Sequence, residues 1–176
     1  MDEQKLIADC KHGNAKAQRK LYDLYAPVMM GVSMRYVKDY DDACDVLQDG
    51  FVKLFTKIDS YLGIGSFEGW ARRIFVTTAL EFLRERHALK FALNIDDLND
   101  STGGFNNTII EEIAADELMN VILGLPDGYR TVFNLFAIEG FSHAEIAKAL
   151  EISEGTSRSQ FARARKLLQK KLQDIY

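Results

Sequence analysis

The sequence predicts an all-α fold: two small helical domains joined by an acidic linker, with a helix-turn-helix in the C-terminal domain. Apolar residues recur at spacings of three and four through most of the chain, without a convincing strand. The segment 92–108 lacks this period and is rich in Asn, Asp and Gly. After it, two short helical patterns follow closely, and the second is strongly basic. We therefore expect domains at residues 1–91 and 109–176, separated by the linker 92–108.

The N-terminal domain is predicted to contain two long helices before a glycine loop. Asn14 can cap the first, which continues to about Val37, and aspartates start the second, from about Asp41 to Ile58. The core side of the first is expected to carry Leu21, Leu24, Tyr25, Val28, Val32 and Tyr36. The core side of the second is expected to carry Val46, Leu47, Phe51, Leu54 and Phe55. Its other side shows Asp45, Gln48 and Asp49, an acidic face that suits either solvent or a basic partner.

A loop from Asp59 to Gly65 leads into a third helix. The loop has two glycines, but no GxxxxGK[ST] motif and no preceding strand, so we do not expect a nucleotide-phosphate site. Ser66 is suited to cap the third helix, which should continue to about Leu89. Its core residues are expected to be Phe67, Trp70, Ile74 and Leu83. Its basic side is expected to carry Arg72, Arg73, Arg84, Arg86 and Lys90.

The C-terminal domain should begin with helices at about 109–123 and 127–139, the latter after Pro126. Ser142 and Glu145 form a capping box for the next short helix, and Ser153 can cap the last one. The last helix should bury Phe161, Ala164 and Leu168. Its other faces carry Arg158, Arg163, Arg165, Lys166, Lys170 and Lys171. This pattern predicts a DNA-reading helix-turn-helix, although a helix pair with a solvated basic face has the same pattern.

Composition excludes several classes of protein. The net charge is −4, and the acids concentrate between Phe91 and Tyr129, where no Lys or Arg occurs. No apolar run is long enough for a membrane span and the N-terminus does not resemble a signal peptide, so we expect a cytoplasmic protein with no membrane insertion. Two distant cysteines exclude the usual zinc patterns. The three histidines have no nucleophile or ligand partner at suggestive spacing, so we expect no enzyme activity, metal or cofactor.

The order of these parts resembles bacterial RNA polymerase sigma factors of the extracytoplasmic-function (ECF) type. The resemblance covers about Leu21 to Leu172. It rests on three stretches: LYDLYAPVMMGVSMRYVKDYDDACDVLQDGFVKLF, GSFEGWARRI and LPDGYRTVFNLFAIEGFSHAEIAKALEISEGTSRS. It implies a protein that binds core RNA polymerase, directs it to promoters and helps to melt the start site. It also implies an anti-sigma partner.

The resemblance assigns roles to particular positions. Those expected to contact the clamp helices of the polymerase largest subunit are Asp45, Gln48, Asp49 and Phe51. Those expected at the minus-ten element are Tyr61, Ile64, Ser66, Arg73, Thr77 and Glu81, the first three in a loop that holds a flipped base. Those expected at the minus-thirty-five element are Thr156, Arg158, Ser159, Gln160, Ala162, Arg163 and Lys166, in a domain that also meets the polymerase flap region. The acidic linker is expected either to occupy a basic polymerase channel or to stay solvated.

Five positions depart from the family's usual residues. Gly50 stands for an apolar residue, Val76 for a basic one and Thr77 for Asn. On the last helix, Ser157 stands for a buried valine and Gln160 for Arg. The resemblance therefore does not transfer a promoter sequence.

One alternative remains open from the sequence. A regulator with a C-terminal helix-turn-helix could bind duplex DNA without polymerase. Such a protein should bind DNA tightly alone, whereas the acidic surfaces of a sigma factor should make its unaided binding weak.

Overall fold

The structure is a computed structural model that describes residues 3–87 and 115–173. The chain divides into two units, Met1–Leu83 and Arg84–Tyr176. All regular secondary structure in the described ranges is helical, so the all-α prediction is confirmed. The expected linker and the predicted helix start at Ile109 lie outside the described residues.

The N-terminal unit contains four helices, of which the last continues a few residues past the unit boundary. They are α1 (Glu3–Lys11), α2 (Ala15–Tyr36), α3 (Tyr40–Lys57) and α4 (Phe67–His87), with a 3-10 turn at Ile58–Ser60. The sequence did not predict α1. The predicted caps are confirmed, because the side chain of Asn14 accepts from the backbone N–H groups of Lys16 and Ala17. Asp39 does the same for α3.

The described residues of the C-terminal unit contain four more helices. They are α5 (Ala115–Leu123), α6 (Asp127–Phe133), α7 (His143–Leu150) and α8 (Glu154–Gln173). The helix of α6 continues as a π-helical turn at Asn134–Ile138, in which the N–H of Glu139 donates to the carbonyl of Asn134. The sequence predicted a continuous helix here and did not predict the wider turn.

The buried side of α2 differs from the predicted one. Leu21, Met29 and Val32 are buried as core residues, but Leu24 is 51% exposed and Val28 is 43% exposed. Tyr25 and Tyr36 are buried as predicted. The chain has apolar residues along two neighbouring lines of α2, and the packing of α1 and α3 selects the line through Met29.

A close approach between α3 and α4 explains Gly50. A Cβ atom at this position would lie 2.3 Å from Cε1 of Phe75, so no larger residue fits without movement of the ring. Phe75 is fully buried and packs edge to face on Phe51, with ring centroids 5.1 Å apart. Glycine lowers the helix propensity of α3, but because it has no Cβ atom it allows the ring of Phe75 to pack closely on the helix.

The core of the C-terminal unit joins α5, α6 and α8. Its centre is formed by Ile122, Leu125, Ala164 and Leu168. Arg130 of α6 is only 1% exposed, and its Nη1 donates to the carbonyl of Leu125 at 3.0 Å and pairs with Oδ1 of Asp127 at 3.0 Å. Burial lowers the pKa of Arg130, against the opposing effect of Asp127. The guanidinium thus joins the loop before α6 to its first turn.

None of the helices in the described ranges is long and apolar enough to span a membrane.

Candidate nucleic-acid interface

Two capped helices form the helix-turn-helix. The N–H of Ser142 donates to Oε2 of Glu145 at 2.8 Å and the N–H of Glu145 donates to Oγ of Ser142 at 3.3 Å, which is the predicted capping box at the start of α7. At the end of α7, Glu151 takes the left-handed conformation with φ of 56°. Ser153 then caps α8, because its Oγ accepts from the N–H of Thr156 at 2.9 Å. The turn between the helices is therefore short and defined by hydrogen bonds at both ends.

One side of α8 is exposed and basic. The exposed residues among those predicted for the minus-thirty-five element are Arg158, Ser159, Ala162 and Lys166. Arg163 and Thr156 are half-buried, and the hydroxyl of Thr156 is hydrogen-bonded to that of Ser153 at 2.8 Å. Arg158 pairs with Glu154 one turn earlier at 2.9 Å, which orients its guanidinium along the helix. The described acid on α8 is thus partly neutralised by its own helix.

Gln160 requires a correction. It was expected to contact DNA, but its side chain is only 3% exposed. It faces α6 at Gly128, where a Cβ atom would come within 3.0 Å of Oε1 of Gln160. The side chain is therefore part of the contact between α6 and α8. It is not among the exposed residues of α8.

Ser157 is buried, as the sequence predicted, but its hydroxyl has a partner. The hydroxyl of Ser157 lies 2.9 Å from Nδ1 of His143, the first residue of α7. The ring of His143 stacks on Phe136 with centroids 4.4 Å apart and an angle of 15°. Burial lowers the pKa of His143, the charge of Arg158 lowers it further, and Glu154 opposes both effects. A polar pair thus joins α7 and α8 at the position where the resemblance implied a buried valine.

The acidic face of α3 is exposed. Asp45, Gln48 and Asp49 lie at spacings of three and four and all face solvent. Phe51 was expected with them as a direct polymerase contact, but it is only 4% exposed. Its ring packs on Tyr22 and Phe75, with centroids 4.5 Å and 5.1 Å away. Phe51 therefore supports α3 from the core, and its predicted direct contact is corrected to a packing role.

The loop before α4 is held by Tyr61 and presents two aliphatic side chains. Tyr61 was expected to contact DNA, but it is 9% exposed; its Oη donates to the carbonyl of Gly65 at 2.8 Å. Its ring packs on Phe67 and Trp70. In contrast, Leu62 is 80% exposed and Ile64 is 82% exposed. Tyr61 therefore shapes the loop, and Leu62, which was not predicted for this site, is exposed at its tip beside Ile64.

The N-terminus of α4 follows this loop directly. Ser66 is exposed, and its Oγ accepts from the N–H of Gly69 at 3.1 Å, so the predicted cap is confirmed. Arg73, Thr77 and Glu81 lie one turn apart along the same side of α4. Arg73 and Thr77 are exposed, and Oγ1 of Thr77 donates to the carbonyl of Arg73 at 2.8 Å.

Two neighbours of this side of α4 were not predicted. Glu81 forms an ion pair with Lys53 of α3, so its carboxylate is not an isolated charge on the face. Lys53 was missed because its partner lies on another helix. Val76 is 2% exposed, so the position at which the family often has a basic residue belongs to the core of this chain.

These features define a class: helical proteins with a basic helix-turn-helix in one unit, and with an acidic helix face and an exposed loop before a capped helix in the other. Comparison with known families agrees. The model of Sigma-70 region 2 matches residues 21–88, and that of Sigma-70, region 4 matches residues 115–168.

Curated relatives match over nearly the whole chain. The ECF RNA polymerase sigma-E factor of Haemophilus influenzae is 29% identical over 189 residues, covering 99% of this chain and 97% of the relative. The factor of the same name from Escherichia coli is 28% identical over 185 residues, covering 99% and 96%.

Solved structures show the same fold. A chain from the structure of CnrH in complex with the cytosolic domain of CnrY aligns with a TM-score of 0.53 at 23% identity. The alignment covers 98% of this chain and 97% of the chain from that structure. The sigma factor RpoE of Bartonella quintana, solved with the anti-sigma factor NepR, aligns with a TM-score of 0.51 at 20% identity, covering 89% and 96%.

The chain belongs to the sigma-70 family of RNA polymerase sigma factors, in its extracytoplasmic-function group. It is a transcription initiation factor that binds core RNA polymerase and promoter DNA, and it is not an enzyme.

Proposed function

We propose that three exposed faces of this sigma factor bind three different partners: the polymerase, the minus-ten element and the minus-thirty-five element. The acidic face of α3, formed by Asp45, Gln48 and Asp49, binds basic residues of the polymerase clamp helices. The loop 61–66 and the side of α4 with Arg73 and Thr77 bind the minus-ten element. The exposed side of α8 binds the minus-thirty-five element, and its unit, residues 109–176, also meets the flap region.

The supporting observation is the separation of charge by helix face. The exposed acids of α3 would repel DNA, and they suit a basic protein partner that they attract and orient. Arg158, Lys166 and Lys170 lie on the exposed side of α8, where they suit phosphates and base edges of a major groove. One chain thus carries a protein-binding face and two nucleic-acid-binding faces.

Two further parts of the proposal concern location and regulation. The protein acts in the cytoplasm, where core polymerase and the chromosome are. An anti-sigma protein binds it and covers its polymerase contacts. The complexes of RpoE with the anti-sigma factor NepR and of CnrH with the cytosolic domain of CnrY, both with this fold, support this second part.

A polymerase-binding assay tests the role of α3. The double variant Asp45→Asn, Asp49→Asn should bind purified core polymerase at least about tenfold more weakly, and the loss should shrink at high salt. Asp59→Asn, in the 3-10 turn of the same unit, is the matched control and should bind like the unaltered chain. Equal binding by the double variant would exclude this face as the docking site.

A further inference from the structure

The ring of His143 lies where the two helices of the helix-turn-helix meet the π-helical turn. Nδ1 of His143, the first residue of α7, is 2.9 Å from Oγ of Ser157 on α8. One face of the ring stacks on Phe136 of the π-helical turn, with centroids 4.4 Å apart. The ring of Phe161 on α8 approaches edge to face, with centroids 6.0 Å apart. These neighbours fix the position of an ionisable ring inside the unit that is proposed to bind the minus-thirty-five element.

The charged side chains beside this ring lie on α8. Burial and the charge of Arg158 lower the pKa of His143, and Glu154, which pairs with Arg158 at 2.9 Å, opposes them. On α7 itself, the carboxylate of Glu145 accepts from the N–H of Ser142 in the capping box. In the free chain the ring is therefore neutral at pH of about 7, because histidine has an ordinary pKa of about 6.5 and this one is lowered.

The hydroxyl of Ser157 suits both protonation states of the ring. A serine hydroxyl can donate a hydrogen bond and can also accept one. It donates to Nδ1 when that nitrogen has no proton, and it accepts from Nδ1 when the ring is charged. Valine, which the resemblance implied at this position, has no such group. The face of Phe136 adds a surface that attracts a cation. The ring can therefore take up a proton without losing its hydrogen bond.

Bound DNA would change the charge around this ring. In a helix-turn-helix the first helix crosses the DNA backbone, and the N-terminal residues of the second helix contact base edges. His143 begins the first helix, and Glu154 and Arg158 lie in the first two turns of the second. Nearby phosphates favour a protonated ring, and the charge of Arg158 is compensated when its side chain binds DNA. DNA should therefore favour the charged ring that the free chain disfavours.

We propose that His143 couples minus-thirty-five recognition to pH: binding of the duplex takes up a proton at this ring, so promoter affinity rises as pH falls. This inference rests on the proposed binding of α8 to that element. It adds a residue of α7 and a dependence on pH, both of which depend on the pairing of His143 with Ser157. The sign follows from linkage, because a proton that binds better to the complex than to the free chain makes the complex tighter at low pH.

The test uses holoenzyme assembled from the full chain and core polymerase. Its affinity is measured at pH 6.0 and 7.5, at one ionic strength, for a duplex with the minus-thirty-five element of a promoter that this holoenzyme transcribes. A duplex with that element scrambled gives the non-specific binding at each pH. The variants are His143→Gln, Ser157→Ala and His12→Gln. His12 is an exposed histidine of the N-terminal unit and serves as the matched control.

The unaltered holoenzyme should bind the element about threefold more tightly at pH 6.0 than at pH 7.5, a gain that one partly protonated group can supply. His12→Gln should keep this gain. His143→Gln should lose it, because the amide does not titrate. Ser157→Ala should show a smaller gain, since the charged ring then has no acceptor. An equal gain in His143→Gln would overturn the proposal.

Proton uptake can be measured independently of affinity. Calorimetric titration of the duplex into holoenzyme at pH 6.5, in two buffers of different ionisation enthalpy, gives the protons taken up on binding. The unaltered chain and His12→Gln should take up more than His143→Gln. No uptake by the unaltered chain would overturn the proposal without reference to any variant. Failure of the proposed function would look different, because the holoenzyme would then not distinguish the element from the scrambled duplex at either pH.

Discussion

At the scale of single residues, the side chain of Gln160 shows how a position of α8 that was expected to contact DNA can instead be buried against another helix. Its Oε1 is buried without a hydrogen-bond partner among the described residues. A buried carbonyl in that state costs about 1–3 kcal/mol of stability. The packing of α6 on α8 at Gly128 therefore includes a polar atom that an apolar residue of the same shape would avoid.

Replacing Gln160 tests both its burial and its expected DNA contact. Gln160→Met keeps the unbranched shape and should raise the free energy of unfolding of the C-terminal unit by about 1 kcal/mol. Urea unfolding followed by circular dichroism measures it. Affinity for the minus-thirty-five duplex should change less than twofold, whereas Arg163→Ala, the control, should lose about 1–3 kcal/mol. A large loss of DNA affinity in Gln160→Met would restore a direct contact.

The pair of His143 and Ser157 makes the helix-turn-helix sensitive to pH. The pKa of His143 is lowered in the folded protein, so the unfolded chain binds a proton more readily than the folded one. Stability from this site is therefore fully present above pH of about 6.5, the ordinary histidine pKa, and is lost as pH falls below it. The charge of Arg158 adds to the lowering of the His143 pKa and that of Glu154 opposes it.

Urea unfolding at several pH values between 5.5 and 7.5 measures this effect through the urea concentration at the unfolding midpoint. The midpoint of the C-terminal unit should rise with pH in the unaltered chain. In His143→Gln the rise should be smaller, since the amide does not titrate. His12→Gln, at an exposed histidine of the other unit, is the control and should keep the full rise. An unchanged slope in His143→Gln would assign the pH dependence to other groups.

At the scale of helices, the contact of Gly50 with Phe75 decides how closely α3 packs on α4. Gly50→Ala would gain about 1 kcal/mol of helix propensity. It would also place a methyl carbon 2.3 Å from Cε1 of Phe75. Overpacking of this kind costs about 1–3 kcal/mol. The balance is a net loss of up to about 2 kcal/mol in the stability of the N-terminal unit.

Trp70, the one tryptophan of the chain, lies in that unit and reports its unfolding by fluorescence. Phe75→Leu should cost less in the Gly50→Ala background than in the unaltered chain, because the smaller side chain makes room for the methyl group. Additive losses, or a Gly50→Ala variant more stable than the unaltered chain, would show that the ring moves aside freely.

The sequence predicted helix starts better than helix faces. Asn14, Asp39, Ser142 and Ser153 act on backbone groups two or three residues away, so their function can be inferred from a short stretch of chain. The buried side of α2 could not be inferred in this way, because Leu24 and Met29 lie on neighbouring apolar lines and the partner helices choose between them.

The candidate site was predictable to the same limited extent. Helical spacing predicted correctly that Asp45, Gln48 and Asp49 of α3 and Arg158 and Lys166 of α8 are exposed. Tyr61 and Gln160 were assigned DNA contacts from family position, which does not show that their side chains are buried. Phe51 was assigned a polymerase contact in the same way, although helical spacing had placed it correctly on the core side of α3. Leu62 and Lys53 were missed for the same reason: exposure at a loop tip and pairing with Glu81 are tertiary properties.

At the scale of the whole molecule, charge decides how this chain meets DNA. The net charge is −4, and a single DNA-binding domain that acts alone usually has a basic balance. The free chain should therefore bind a duplex promoter weakly, and core polymerase, by binding the acidic face of α3, should strengthen the binding. A stand-alone regulator would show the opposite dependence.

Gel shifts on one duplex with and without core polymerase measure this directly. We expect at least about a hundredfold tighter apparent binding with polymerase at physiological salt, because the promoter contacts of both units then add. A scrambled duplex of the same length is the control for non-specific binding. Tight, sequence-specific binding by the free chain, unchanged by polymerase, would favour the regulator.

The π-helical turn at Asn134–Ile138 also sets the rotation of the following chain about the helix axis. A π turn holds one residue more than the α-helical turn it replaces, and the bond from Glu139 to Asn134 spans that extra residue. Deleting one residue here would restore an ordinary helix, but it would rotate everything after it by about 100° around the axis. The number of residues in this segment, more than their identity, therefore determines which side of the following helices faces outward.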